Sequence, residues 1–196
     1  MQEIYYMLKV LNDMAEFFKN RCRGPNPLKQ LALLFLLCLA FVVCSPETAS
    51  TTQDNYMTLT PTGLTNKLGN PLYQLSLYGN GQLIAAYMTV AGRAHTQNYN
   101  RHQAGTEAPL PDGKYRVARE PVPGTIPEAG DRFLPIQPLF RTRRSALGIH
   151  YDPSFEKPNG EDGTSGCIAL TNRADLDQVL NYVRTYRPQY LEVNIQ

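Results

Sequence analysis

The hydrophobic pattern divides the chain near residue 55. Upstream lies one unbroken apolar run, LALLFLLCLAFVVC at 31–44. Downstream the apolar positions are short and interrupted, the texture of strands rather than long helices. YMTLT at 56–60 predicts a strand ended by Pro61, Thr62 and Gly63. LYQLSLYGNGQLIAAYMTVAG at 72–92 carries two apolar-rich runs about Gly79-Asn80-Gly81. It predicts a β-hairpin, because Asn and Gly accept the positive φ that a two-residue hairpin turn requires. Alternation is imperfect in the second run, so part of it is expected to be buried on both faces.

Residues 93–113, RAHTQNYNRHQAGTEAPLPDG, are polar and irregular, and so long a loop inside a compact domain is usually functional or mobile. His95 and His102 have no nucleophile or ligand partner at fixed spacing and read as solvated loop residues. KYRVARE at 114–120 predicts a strand, PVPGTIPEAGD at 121–131 a turn-rich excursion, RFLPIQPLF at 132–140 a mixed run, and SALGIH at 145–150 a short strand ending on His150. Over 171–189, Leu176, Val179, Leu180 and Val183 fall at helical spacing and give one apolar face. Thr171 or Asn172 caps that helix, Asp175 suits its first turn and Pro188 stops it. YLEVNI at 190–195 predicts a closing strand, so the fold class is mainly β with a C-terminal helix.

Arg21, Arg23 and Lys29 precede the run at 31–44 and the polar stretch SPETASTTQDN follows it, the order of an export signal. As a helix the run rises about 21 Å against a hydrocarbon core of about 30 Å, so a cleaved signal fits better than a permanent span. The expected division is an export signal or membrane anchor at 1–45, a polar linker at 46–55 and one domain at 56–196. Met7 and Met14 are alternative starts, and lipidation of Cys44 is a minority alternative. Membrane contact is expected only through 31–44, if that segment is uncleaved.

The chain carries 19 Lys and Arg against 17 Asp and Glu; residues 1–45 hold five basic and three acidic residues, leaving fourteen of each sign in 46–196. A neutral domain argues against nucleic acid as the partner, since a phosphate backbone calls for a basic surface. Of the four cysteines, Cys22, Cys38 and Cys44 lie in or before the apolar run, so an exported domain keeps Cys167 alone. A lone thiol forms no intramolecular disulfide, and with only His95, His102 and His150 available it forms no zinc site. Neither a metal nor another cofactor is expected.

His150 ends an apolar run, sixteen polar, Gly- and Pro-containing residues follow, and Cys167 then appears between Gly166 and the apolar Ile168 and Leu170. That arrangement suggests a nucleophile and its base. A free thiol has a pKa of about 8.5, which a neighbouring imidazolium lowers to give the nucleophilic thiolate; the imidazole then acts as general acid toward a leaving amine. Gly166 permits a sharp turn and close approach, and amide N–H groups around Ser165, Gly166 and Cys167 are placed to face a developing oxyanion. A buried, inert cysteine is the competing reading.

On these residues the chain resembles the L,D-transpeptidase catalytic domain, also called the YkuD domain. That family is marked by a histidine, a variable gap and a Ser/Thr-His-Gly-Cys segment followed by an apolar residue and Asn or Arg. Here His150, thirteen intervening residues and Thr164-Ser165-Gly166-Cys167-Ile168-Ala169 stand in that order. The hairpin at 72–92 resembles the family's opening strands, and AGTEAPLPDGKYRV at 104–117 its Thr-Pro-x-Pro-x-Gly-x-Tyr segment, so the likeness covers residues 55–196. Two positions depart: Ser165 stands where the family has histidine, and Ala169 where it has Asn or Arg.

The resemblance implies a β-sandwich with a flanking C-terminal helix, and cysteine acyl transfer on peptidoglycan stem peptides in the bacterial cell envelope. Cys167 would attack the carbonyl of the third stem residue, a diamino acid, expel the terminal D-alanine and hold the peptide as a thioester. An amine from a neighbouring stem completes a 3–3 cross-link, whereas water makes a carboxypeptidase. His150 is implied as the base, oriented by the backbone carbonyl of Tyr151. Polar contacts to substrate are expected from Thr164, from Arg141, Arg143 and Arg144, or from Asn172 and Arg173. The alternatives are an L,D-carboxypeptidase or toxin-like hydrolase with the same nucleophile, and a non-catalytic wall-binding module. Papain-like cell-wall peptidases place the cysteine well before the histidine and sortases much farther after it, so neither order fits.

Overall fold

The computed structural model describes residues 54–196. The export signal expected at 1–45, all but the last two residues of the linker, and Cys22, Cys38 and Cys44 lie outside the described residues. Eight strands form: β1 (Tyr56–Thr65), β2 (Pro71–Gly79), β3 (Gln82–Ala91), β4 (Gly113–Val117), β5 (Leu134–Pro138), β6 (Gly148–Tyr151), β7 (Ile168–Leu170) and β8 (Tyr190–Val193). One helix, α1 (Arg173–Tyr186), joins β7 to β8.

In β1, Met57 and Leu59 are fully buried while Tyr56, Thr58 and Thr60 stay partly exposed, so one face of the strand builds core. The strand continues past Pro61, where the sequence predicts its end. The Leu59 carbonyl accepts from Asn194 on the β8 side, so Pro61, two residues on, turns its missing N–H to that same side. β8 pairs with β1 only as far as Leu59, and no ladder bond is lost. The ladder to β2 shifts register between Pro61 and Thr65. The β2–β3 hairpin turns on Asn80 (φ 54°) and Gly81 (φ 74°), as its sequence predicts.

The strands close into a barrel in the order β1-β2-β3-β7-β6-β5-β4-β8, rather than the two separate sheets of the expected sandwich. β8 bonds β1 in parallel on one side and β4 antiparallel on the other, while β7 bonds β3 antiparallel and β6 in parallel. Both seams that would separate the sheets of a sandwich are therefore hydrogen-bonded, and no strand edge is left open around the ring. The core takes Leu59, Leu75, Leu77, Tyr115, Leu134, Ile149, Ile168 and Leu191 from the barrel. Burial of each aliphatic among them contributes about 1.5–3 kcal/mol.

The expected C-terminal helix is present and adds Leu176, Val179, Leu180 and Val183 to the same core. Asn172 is its N-cap, accepting from the Asp175 N–H at 2.9 Å, and Arg187 ends it in the left-handed region just before Pro188. Loop 93–113 is ordered by two buried arginines. Arg93 pairs with Glu161 at 2.9 Å and Glu107 at 3.3 Å, and Arg101 with Asp112 at 2.6 Å. His95 and His102 are exposed on this loop. Among the described residues no helix is long and apolar enough to cross a membrane.

Candidate active site

β6 and β7 run side by side in parallel, with Ile149 opposite Ile168 and His150 opposite Ala169. Ile149 and Ile168 enter the core, so alternation sends His150, on β6, and Cys167, just ahead of β7, to the other face of the sheet. The fifteen residues from Asp152 to Gly166 fold out as a loop between β6 and the cysteine.

Buried carboxylates hold that loop. Asp152 is 4% exposed and accepts from the N–H groups of Ser154 (2.7 Å) and Gly163 (2.9 Å). Asp162 accepts from Asn66 (2.8 Å), Asn70 (2.5 Å) and the Glu156 N–H (2.7 Å). Burial pushes the Asp152 carboxyl up to about 6, assisted by the charges of Asp162 and Glu128 and opposed by its two backbone N–H donors. A carboxyl raised on folding contributes stability that is complete below its unfolded value of about 3.9 and lost as pH rises through the folded value. The melting temperature of the parent, relative to Asp152→Asn, is therefore expected to fall between about pH 4 and 6 and then level off, measured by paired thermal melts.

Thr164 is fully buried and shapes the turn before the cysteine. Its hydroxyl donates to the Cys167 carbonyl (2.8 Å) and accepts from the N–H groups of Gly92 (2.9 Å) and Gly166 (3.1 Å). Gly166 has φ 114°, a conformation that side chains rarely adopt, and a Cβ there would overlap the Arg144 guanidinium and lie 2.7 Å from the Ala108 carbonyl oxygen.

His150 is 1% exposed. Its Nδ1 lies 2.9 Å from the Tyr151 carbonyl oxygen, which can only accept, so Nδ1 carries the proton and Nε2 keeps its lone pair. Nε2 is buried without a hydrogen-bond partner among the described residues. Burial holds the ring's pKa below its ordinary value, against the pull of the Tyr151 carbonyl and the Glu128 charge, so the imidazole is neutral at neutral pH. Phe133 stacks on the ring at 6.1 Å and 25°, in space that Gly148 leaves open: a Cβ there would enter the Phe133 ring.

Cys167 is the free cysteine of the described residues. Burial pushes its thiol up to about 12; the Gly148 N–H and the Arg144 guanidinium pull it down, and Glu128 pushes it further up. Sγ lies 3.8 Å from the carbonyl oxygen of Ala146, itself a left-handed residue at φ 53°. The resting pair is thus a neutral thiol and a neutral imidazole, not the imidazolium-activated thiolate that the sequence suggests. A low-dielectric site penalises both charges.

Both residues line a cavity of about 410 Å³, together with Val122, Ile126, Glu128, Phe133, Arg144 and Ser165. Of the three neighbouring arginines only Arg144 reaches it; Arg141 and Arg143 are exposed elsewhere. Arg144 is 7% exposed, its Nη2 donates to the Ser165 carbonyl at 2.8 Å, and among the described residues it forms no ion pair. Asn172 and Arg173 do not line the cavity. Asn172 caps α1, while Arg173 pairs with Asp131 at 2.9 Å and lies 4.9 Å over the Tyr151 ring.

Glu128 carries no signal in the sequence. It sits in a short 3-10 turn, Pro127–Ala129, on an excursion closed by the bridge between Val122 and Phe133. Its carboxylate accepts from both the N–H (2.6 Å) and the hydroxyl (2.8 Å) of Ser165. Two of the amides expected to face an oxyanion are therefore already bonded, Ser165 N–H to Glu128 and Gly166 N–H to Thr164. Among the described residues no three His, Cys, Asp or Glu side chains gather to hold a metal.

These features define a class: a closed β-barrel with a thiol and a neutral imidazole facing one cavity. The family model of the L,D-transpeptidase catalytic domain, YkuD, matches residues 70–192, and the chain belongs to that family. Its function is accordingly of the L,D-transpeptidase kind, directed at peptidoglycan. A comparison with curated proteins finds no match.

Proposed function

We propose that the chain is a cell-envelope cysteine acyltransferase acting on peptidoglycan stem peptides, with Cys167 as nucleophile and His150 as base. The observation that carries this reading is the buried lone pair of His150 Nε2, without a partner among the described residues, in the same cavity as the thiol. A buried acceptor left unsatisfied is costly, and a transferable thiol or amine proton is what such an acceptor suits. As Sγ attacks the carbonyl of the third stem residue, Nε2 takes the thiol proton. Charge on the carbonyl oxygen develops near the buried Arg144 guanidinium. The imidazolium then protonates the amine of the departing D-alanine, the C–N bond breaks and a thioester remains on Cys167.

An incoming amine or water reverses the proton path, giving His150 one proton and returning one to sulfur. The basic residues ahead of the apolar run at 31–44 support export of the domain to the envelope. Muropeptide digests from cells carrying the parent or Cys167→Ala test the proposal. Loss of 3–3 cross-links or of tetrapeptide trimming in the variant is expected; identical digests would mean a wall-binding module instead.

A further inference from the structure

Two charged cavity groups are left without work by the chemistry above, and of these Glu107 is paired with Arg93 while Glu128 is not. The charge of Glu128 opposes ionisation of the Cys167 thiol and favours the imidazolium of His150, so its two effects on proton transfer from thiol to imidazole oppose one another. Among the described residues it has no cationic partner. Yet it is held in place: the N–H and hydroxyl of Ser165 bind one carboxylate oxygen each, at 2.6 and 2.8 Å. A carboxylate offers about four lone-pair directions, so acceptor capacity remains on both oxygens. Glu128 lines the same cavity as Cys167 and His150.

We propose that Glu128 binds a primary ammonium group of the peptide substrate, the side-chain amine of a diamino acid. The inference rests on the function proposed above. An anionic group would be drawn to Arg144 rather than to this carboxylate, and a neutral one would not need the charge, whereas an ammonium supplies up to three donors from one compact centre. Its positive charge also offsets the carboxylate's effect on the neighbouring sulfur. Ser165, standing where the family has histidine, takes the part of holding this carboxylate.

The ammonium belongs either to the acceptor stem or to the donor's own third residue. If it is the acceptor's, the balance is simple. The ammonium gives one proton to His150 Nε2, its nitrogen attacks the thioester carbonyl, and the C–S bond breaks as the amide C–N bond forms. A second proton ends on sulfur and the third stays on the amide nitrogen; His150 releases its proton to solvent.

Glu128→Gln tests the proposal, because glutamine can keep both Ser165 contacts through its carbonyl and amide while losing the charge. Parent and variant are given a tetrapeptide donor, with its side-chain amine free or acetylated, in the presence and absence of an acceptor stem. Thioester and products are followed by mass spectrometry. A fall of about tenfold in the ratio of cross-linked to hydrolysed product assigns the ammonium to the acceptor; tenfold is the scale of one charge-assisted hydrogen bond. A rise of about tenfold in KM for the free-amine donor, with the acetylated donor unaffected, assigns it to the donor. Either result upholds the proposal. A variant that matches the parent in both arms, while the parent still forms its thioester, overturns the proposal alone. A parent that forms no thioester on Cys167 overturns the proposal together with the functional reading beneath it.

Discussion

Replacing His150 with glutamine is expected to lower acyl transfer by about 10²–10⁴-fold, the range of a positioned general base. Nε2 is the buried lone pair facing the cavity, and a glutamine amide cannot take a proton from a thiol. The pH profile carries the sharper signature. His150 must be neutral to act, and burial holds its pKa below 6.5, so kcat/KM of the parent is expected to rise with pH through that lower value and then stay level across neutrality. The Cys167 thiol, pushed up to about 12, adds no limb near neutral pH. In His150→Gln the acidic limb should vanish, and residual activity should climb with pH toward the thiol's own ionisation.

Gly166→Ala is expected to lose at least about 10²-fold in transfer, the scale of a misplacement near 1 Å at a reacting centre. Its φ of 114° disfavours any side chain, and the new methyl would displace the Arg144 guanidinium and crowd the Ala108 carbonyl. Both the turn that presents Cys167 and the cation beside it would move. Gly160→Ala is the control. Gly160 also has a positive φ, 79°, but a Cβ there meets nothing within 4 Å. Its cost is expected to be about 1–2 kcal/mol of stability, with transfer retained. Melting temperature and kcat/KM measured on both variants separate backbone strain from damage to the site.

What was legible in the sequence was local in origin. The hairpin follows from Asn80 and Gly81, which accept positive φ, and α1 from a cap and an apolar stripe at helical spacing. His150 and Cys167 stand out because an imidazole, a glycine and a thiol in that order have few structural reasons to coincide. The order of elements did not reveal closure. A sandwich and a barrel can share the same strands, and the difference lies in β8 bonding both β1 and β4, a tertiary event.

β7 was equally hidden. Three residues, Ile168–Leu170, are too few to show a period, although this strand sets Cys167 beside His150. In sequence Arg144 is indistinguishable from Arg141 and Arg143, since nothing in an arginine's neighbours along the chain tells which one is buried. Glu128 lies in a turn-rich stretch far from Ser165 in sequence, and only the folded excursion at 121–131 brings the two together. Asp152 and Asp162 lie in the polar stretch between His150 and Cys167, and nothing in their neighbours along the chain tells that they are buried; burial and their backbone donors make them anchors of the loop between base and nucleophile.

The most direct test of Cys167 as a nucleophile activated by His150 uses an acyl donor with no leaving group to depart. A carbapenem serves, because attack on its strained lactam carbonyl leaves the opened product joined to sulfur. Incubated with the purified parent and read by intact and peptide mass spectrometry, it is predicted to give one adduct, located on Cys167. That adduct should be absent from Cys167→Ala and formed more slowly by His150→Gln. A parent that stays unmodified, or a Cys167→Ala variant that takes the same adduct, would contradict the account.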